Sequence, residues 1–315
     1  MINFRFHIVS LIAVFLALAL GIVMGATVVN RAIVDRLNSR IDTVENNANK
    51  RKAESDQLRG QVGQLNQYID GTKNFAIASR LDGVALVTIA SRGVDGDAVK
   101  QTVQLAQQAG ARAPGIIWLE PKLTLSDPNA LRDLGDLLGR PDQNARTTRE
   151  DTWNALANRL ATGSGAAASG RDLLTALADA GFITFEPVGD QGNNFSAASF
   201  AGGEARVLLI DGTNGQVTAN EALAPLTTAL ASNRLRLVAA EVFVEKDDGP
   251  KRGAMLAPIR GSDQLKQAVS TVDDLDLVEG RVASVLALAD LGRNVVGQYG
   301  YGAGATTSAP EWQNP

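Results

Sequence analysis

The chain contains no cysteine, one histidine and three methionines among its 315 residues. Without cysteine there is no disulfide framework, no thiolate nucleophile and no cysteine-based zinc or iron–sulfur centre. That absence leaves the redox compartment open, because a chain with an adequate core can do without disulfides on either side of a membrane. The one histidine, His7, stands at the edge of an apolar segment near the N-terminus. Ser-His-Asp and Cys-His machinery is therefore excluded from the rest of the chain. The formal net charge is −4. A nucleic-acid-binding domain carries a concentrated basic face, so nucleic acid is not an expected partner.

What the chain has in abundance is apolar surface, with 45% hydrophobic residues. Residues 8–29 carry no charge, and only Ser10 and Thr27 among them are polar. At about 22 residues the run matches the roughly 20 needed to cross a bilayer core. The competing reading, a cleaved signal peptide, calls for an apolar region of roughly 7–15 residues and an A-x-A-like site. The run is too long for that, and Met24-Gly25-Ala26 matches the site poorly. We expect a short tail over 1–7 and a transmembrane helix over 8–29. Small residues recur at Ala13, Ala17, Gly21 and Gly25, which places them on one helical stripe where two spans can approach closely. Orientation stays open on charge. Arg31, Arg36 and Arg40 after the span favour an internal domain, whereas a span so close to the N-terminus suits a signal anchor.

Beyond the span the apolar residues fall at spacings of 3 and 4. Val34, Ile41, Ala48, Ser55, Val62 and Ile69 form one series, and Leu37, Val44, Arg51, Leu58 and Leu65 the other. This is an a/d seam over about five heptads, and it predicts a parallel coiled-coil stalk over 30–72. Ala48, Arg51 and Ser55 weaken its middle. β-Branched Val34 and Ile41 at a, with Leu37 at d, favour two strands. The alternative is an amphipathic helix folded back on the globular part, which asks for a wider stripe. Span and stalk both call for a second copy of the chain.

From residue 80 the pattern changes to short apolar runs alternating with helical periodicity. Strands are expected over 84–90, 116–119, 182–185, 206–211 and 235–244. Helices are expected over 97–110, 131–138, 153–160, 173–180, 219–231 and 282–291. Such alternation implies a mostly parallel sheet covered on both faces. We read residues 80–302 as a three-layer Rossmann- or flavodoxin-like α/β domain, and 303–315 as a disordered tail.

Ligands of open α/β sheets bind beyond the carboxyl ends of the strands. The residues there include Ser91-Arg92-Gly93 and Asp211-Gly212-Thr213-Asn214-Gly215, neither of which is a dinucleotide fingerprint or a P-loop. Asp211-Gly212 reads as a tight turn. Asp273, Asp274, Asp276 and Glu279 form the densest acidic cluster. They could hold a hard cation, but their spacing is not that of an EF-hand, and a solvated turn at a helix N-terminus accounts for them. Asp273, Asp274 and Asp276, with Tyr299, are the candidates for a functional surface. No catalytic constellation, metal site or cofactor site emerges, and no enzymatic activity is expected.

Five stretches carry a resemblance. The segment Phe15-Leu16-Ala17-Leu18-Ala19-Leu20-Gly21-Ile22-Val23-Met24-Gly25 resembles the opening of the mycobacterial copper transport protein B family. Gly181-Phe182-Ile183-Thr184-Phe185, Ser270-Thr271-Val272-Asp273-Asp274-Leu275-Asp276, Glu279-Gly280-Arg281-Val282 and Gly297-Gln298-Tyr299-Gly300 are similar to that family in the same order. The resemblance implies an actinobacterial cell-membrane protein with its α/β domain on the extracytoplasmic side. The family name implies copper efflux or resistance. The wider family also implies a place at the division septum and in cell-wall integrity, beside a membrane-associated protein partner. Cu(I) selects thiolate, thioether or imidazole ligands, and beyond the stalk the chain offers only Met255. The expectation is therefore a non-enzymatic dimeric envelope scaffold, with copper efflux or resistance as the alternative.

Overall fold

The computed structural model describes residues 4–193, 195–200 and 205–311, leaving aside the side chains of 26–32. The chain divides into two units, Met1–Leu65 and Asn66–Pro315.

The first unit is helical. Helix α1 (Phe4–Ile77) has no proline to interrupt its hydrogen-bond ladder. Its Phe4–Gly25 portion has a mean hydropathy of 2.8 and no buried residue, and is long and apolar enough to cross a membrane. Ala13, Ala17, Gly21 and Gly25 are exposed along it. Val34, Leu37, Ile41, Val44, Leu58, Val62 and Leu65 are also exposed, by 46% to 66%, as is Ala48, whereas Ile69 is half-buried.

The last turns of α1 belong to the second unit, where Ile77 and Leu81 are buried. The chain then enters β1 (Leu86–Ser91), whose six residues are all buried. Asp95 caps α2 (Gly96–Gln108) by accepting from the N–H groups of Asp97 and Ala98. Strand β2 (Gly115–Leu119) leads to α3 (Pro128–Leu138), which Asp127 caps and Gly139 stops in the left-handed region at φ 70°. Asn144 caps α4 (Ala145–Thr162), and Asp172 caps α5 (Leu173–Asp179). Then follow β3 (Ile183–Pro187), β4 (Arg206–Gly212), α6 (Leu223–Ser232) and β5 (Arg236–Val242). Two short helices, α7 (Ala257–Arg260) and α8 (Asp263–Ala268), precede β6 (Val269–Val272), α9 (Val278–Asp290) and β7 (Gln298–Tyr299).

The strands form one sheet in the order β3-β2-β1-β4-β5-β6-β7. Every pairing is parallel except β2 with β3. The mixed α/β class and the mostly parallel sheet agree with the sequence reading; β6, β7 and the reversed direction of β3 are additions to it. Successive strand residues face opposite ways. Val87, Ile89, Ile117, Val207, Leu209 and Leu237 share a core with Leu134, Trp153, Leu156, Leu177, Leu226 and Leu230 of α3–α6. Leu86, Ala90, Ile116, Trp118, Leu208, Ile210 and Val238 share the opposite core with Val99 and Val103 of α2 and with Val285 and Leu288 of α9. Burying each such side chain contributes about 1.5–3 kcal/mol, which is why near-continuous apolar runs become the inner strands.

The stretch from residue 303, expected to be a disordered tail, is instead tied down as far as residue 311. Thr306 N–H donates to the Gln298 carbonyl at 2.7 Å, and Gly300 N–H to the Thr307 carbonyl at 3.0 Å. Ala309 packs on the second core, and Pro310 is buried. A small-residue composition suggested disorder, but these residues owe their order to backbone pairing with β7. Residues 312–315 lie outside the described ones.

Candidate functional site

The parallel strands end in a row of polar groups on the α3–α6 face. Ser91 closes β1, Asp211 lies near the end of β4 and Glu241 near the end of β5, and Asp273 follows β6. Asp211 and Glu241 are direct register partners. All four are buried, Glu241 and Asp273 completely. Burial pushes the Asp211 carboxyl up to about 7, against the opposing pull of the Gly212 N–H and the Ser91 hydroxyl. It pushes Glu241 up to about 7 as well; the Gly253 N–H opposes the shift and the charge of Asp273 adds to it.

Two arginines and the C-terminal segment close over this row. Arg260 of α7 reaches Asp273 Oδ2 at 2.7 Å, Thr271 Oγ1 at 2.8 Å, the Tyr299 carbonyl at 2.7 Å and the Ala303 carbonyl at 2.9 Å. Asp273 Oδ1 also accepts from the N–H groups of Tyr301 at 2.8 Å and Gly302 at 3.0 Å. Gly300 lies so close to this carboxylate that a Cβ there would sit 2.2 Å from Oδ1, and its φ is +116°. Arg252 makes a two-pronged pair with Asp276, at 2.7 and 2.9 Å, and lies 4.6 Å from the centre of the Phe243 ring. Gln298 links the strands from within, its amide oxygen accepting from Thr271 at 2.7 Å.

The sequence candidates Asp273, Asp274, Asp276 and Tyr299 are thus gathered in one place, but not as an exposed surface. Asp273 and Asp274 are fully buried, Tyr299 is 5% exposed and Asp276 is committed to Arg252. The solvated turn expected at Asp273-Asp274 is a correction of the same kind: β6 carries both residues under the C-terminal segment. Neither oxygen of Asp274 has a hydrogen-bond partner, and burial followed by the charge of Asp273 raises its carboxyl to about 7. Gly280 of α9 packs on the Asp274 carbonyl, where a Cβ would come within 2.0 Å of the oxygen. Burial, then the charges of Asp290 and Glu311, push the Tyr299 phenol up to about 12.

Asp211-Gly212 lies inside β4 rather than in the turn, which forms just beyond it. The crevice where the strand order reverses, between β1 and β4, is filled by the chain itself. Gln216 N–H donates to the Arg92 carbonyl at 2.7 Å, and a Cβ on Gly93 would fall 2.4 Å from the Asn214 carbonyl oxygen. Among the described residues no group of three or more His, Asp or Glu side chains is placed to hold a metal ion. Sequence reasoning missed Glu241, Arg252 and Arg260. A readable signal did exist for Glu241, since an acid within Arg236-Leu237-Val238-Ala239-Ala240-Glu241-Val242 sits in a strand buried on both faces.

These features define a class: an α/β protein with an apolar N-terminal helix long enough to span a membrane, and a mostly parallel sheet whose carboxyl edge is sealed by its own arginines and C-terminal segment. The chain belongs to the family described as copper transport outer membrane protein, MctB, which it matches over residues 1–310. It is 26% identical over 318 residues to the copper transporter MctB of Mycobacterium tuberculosis (strain ATCC 25618 / H37Rv), an alignment covering 97% of this chain and 98% of that protein. The copper transporter MctB of Mycobacterium leprae (strain TN) is 25% identical over 325 residues, with 98% of both chains covered. The stretches that carried the resemblance are those the fold assembles: Thr271, Asp273 and Asp274 of one meet Gln298, Tyr299 and Gly300 of another.

Proposed function

We propose that the chain is a non-enzymatic, membrane-anchored scaffold of the cell envelope, dimeric through α1, with its α/β domain on the extracytoplasmic side. In this reading it presents that domain to protein partners in cell division or cell-wall integrity. The observation that carries it is the exposed apolar stripe from Val34 to Leu65, continuous with the small-residue stripe of the apolar segment. A single helix bearing such a stripe gains stability when a second copy covers it as a coiled coil. The parallel strands, taken without β3, run β2-β1-β4-β5-β6-β7, which supports the doubly wound, flavodoxin-like reading.

Because the chain has no cysteine, single substitutions report pairing directly. Ile41→Cys on the seam is expected to give disulfide-linked dimers in membranes, and Thr43→Cys off the seam is not. Only monomers at both positions would overturn the dimer. The names of the relatives support a second reading, copper transport. It has to contend with a chain whose soft-ligand side chains are His7, Met1, Met24 and Met255.

A further inference from the structure

Arg206 and Arg236 stand opposite each other on the neighbouring parallel strands β4 and β5. On its other side Arg206 is the register partner of Leu86 in β1, and the preceding residue, Ala85, is bridged to Arg112 before β2. Arg112, Arg206 and Arg236 therefore form a row across the amino edge of four adjacent strands. Strand alternation puts all three on the α2/α9 face, in step with Ile116, Leu208 and Val238 of that core. Arg234, beside Arg236, is exposed as well. Among the described residues no ion pair involves any of these four arginines. Like charges one strand apart, at about 4.8 Å, repel each other. The strain is visible at Arg206, whose hold on its proton is weakened by burial and by the charge of Arg236.

At Arg206 the row opens into a cavity of ≈ 290 Å³, lined also by Arg80, Arg293, Ser79, Asp290 and Glu311. Asp290 is paired with Arg293. The Leu288 and Ala289 carbonyls at the end of α9 fix the Arg206 guanidinium. Ser79 is held at φ 57°, a left-handed conformation unusual for a non-glycine residue. A net-acidic chain thus concentrates unpaired cations along one edge of its sheet, while its buried carboxylates crowd the opposite edge.

We propose that the amino edge of the sheet is a docking surface for a linear, phosphate-bearing polyanion, with the Arg206 recess as its anchor. Guanidinium forks match phosphate oxygens two at a time. A row crossing four strands, about 15 Å, exceeds the reach of a single small anion and suits a chain of them. A phosphate brings more charge and more acceptor oxygens per group than a carboxylate, so it satisfies the row with fewer groups.

The test titrates the full chain, in a zwitterionic detergent, with medium-chain sodium polyphosphate at several salt concentrations. Saturable binding is expected, with log affinity falling linearly against log salt. The exposed double substitution Arg234→Asn with Arg236→Gln should lower affinity about tenfold and flatten the salt slope by roughly one to two. Its melting temperature should be unchanged, since neither side chain has an ion-pair partner in the fold. The proposal is overturned if binding does not saturate or if the double variant binds like the parent. It is equally overturned if poly-glutamate competes as well as polyphosphate, because the surface would then read carboxylates.

Discussion

Arg260 and Asp273 form an ion pair at 2.7 Å with side chains only 3% and 0% exposed. Around this pair the guanidinium joins four pieces of backbone: α7 that bears it, β6, β7 and the segment at Ala303. Charge in such a place is tolerated only when it is paired and fully hydrogen-bonded. The pair therefore acts as a clasp for the C-terminal part of the chain.

Removing one partner leaves the other buried and uncompensated, beside Glu241. Arg260→Met should destabilise the domain by about 3–5 kcal/mol. Urea unfolding measures this. Limited proteolysis supplies the second readout, with new cleavage around Ala303 before any cut in β1 or β4. Equal protection of residue 303 in variant and parent would contradict the clasp.

Gly300 tests the same contact from the backbone side. At φ +116° only glycine is at ease, and an added Cβ would meet the Asp273 carboxylate. Gly300→Ala should cost more than about 1 kcal/mol, seen as a lower melting temperature. Gly83→Ala is a fair comparison. Its φ is also positive, at +72°, but the space around it is open, so it should be the milder change.

How much of this was readable in advance follows from where the stabilising contacts lie. The inner strands announce themselves, because a strand covered on both faces needs consecutive apolar residues such as Val207-Leu208-Leu209-Ile210. Helix α1 is equally plain, since its periodicity is local. Strand β6, Val269-Ser270-Thr271-Val272, is too short and too polar to stand out. Its polar members are satisfied by Arg260, Gln298 and the Gly297 N–H, contacts that span up to 27 residues. The same long-range bonding orders residues 303–311. An acidic run such as Asp273-Asp274 reads as solvent-facing until the arginines that cover it are located in space. The direction of β3 is invisible to periodicity, which is the same for parallel and antiparallel strands.

The three raised carboxyls predict an inverted pH dependence. Asp211, Glu241 and Asp274 are all held near 7, against ordinary values of 3.8 for Asp and 4.5 for Glu. The folded chain therefore binds these protons more tightly than the unfolded chain does. Their contribution to stability is full below about pH 4, declines as pH rises through about 7, and levels off above it. Melting temperatures should fall between about pH 5 and pH 8. Glu241→Gln removes one of these groups, so its advantage over the parent should grow across that interval. A difference between the two that stays constant with pH would refute the assignment for Glu241.

Copper binding is where the family's name and this chain's composition diverge most sharply. A tight Cu(I) site draws on thiolate, thioether or imidazole ligands, several at once. The second unit contributes one such side chain, Met255, and it is packed against the first core. His7 and Met24 stand in or beside the apolar segment of the other unit. Equilibrium dialysis of the full chain against Cu(I) is expected to leave no metal retained beyond free buffer ligands. Met255→Leu, which keeps the packing volume, should change neither that result nor the melting temperature by much. Retention of one Cu(I) per chain, lost in Met255→Leu, would instead favour the copper reading and place a ligand where the fold offers a single sulfur.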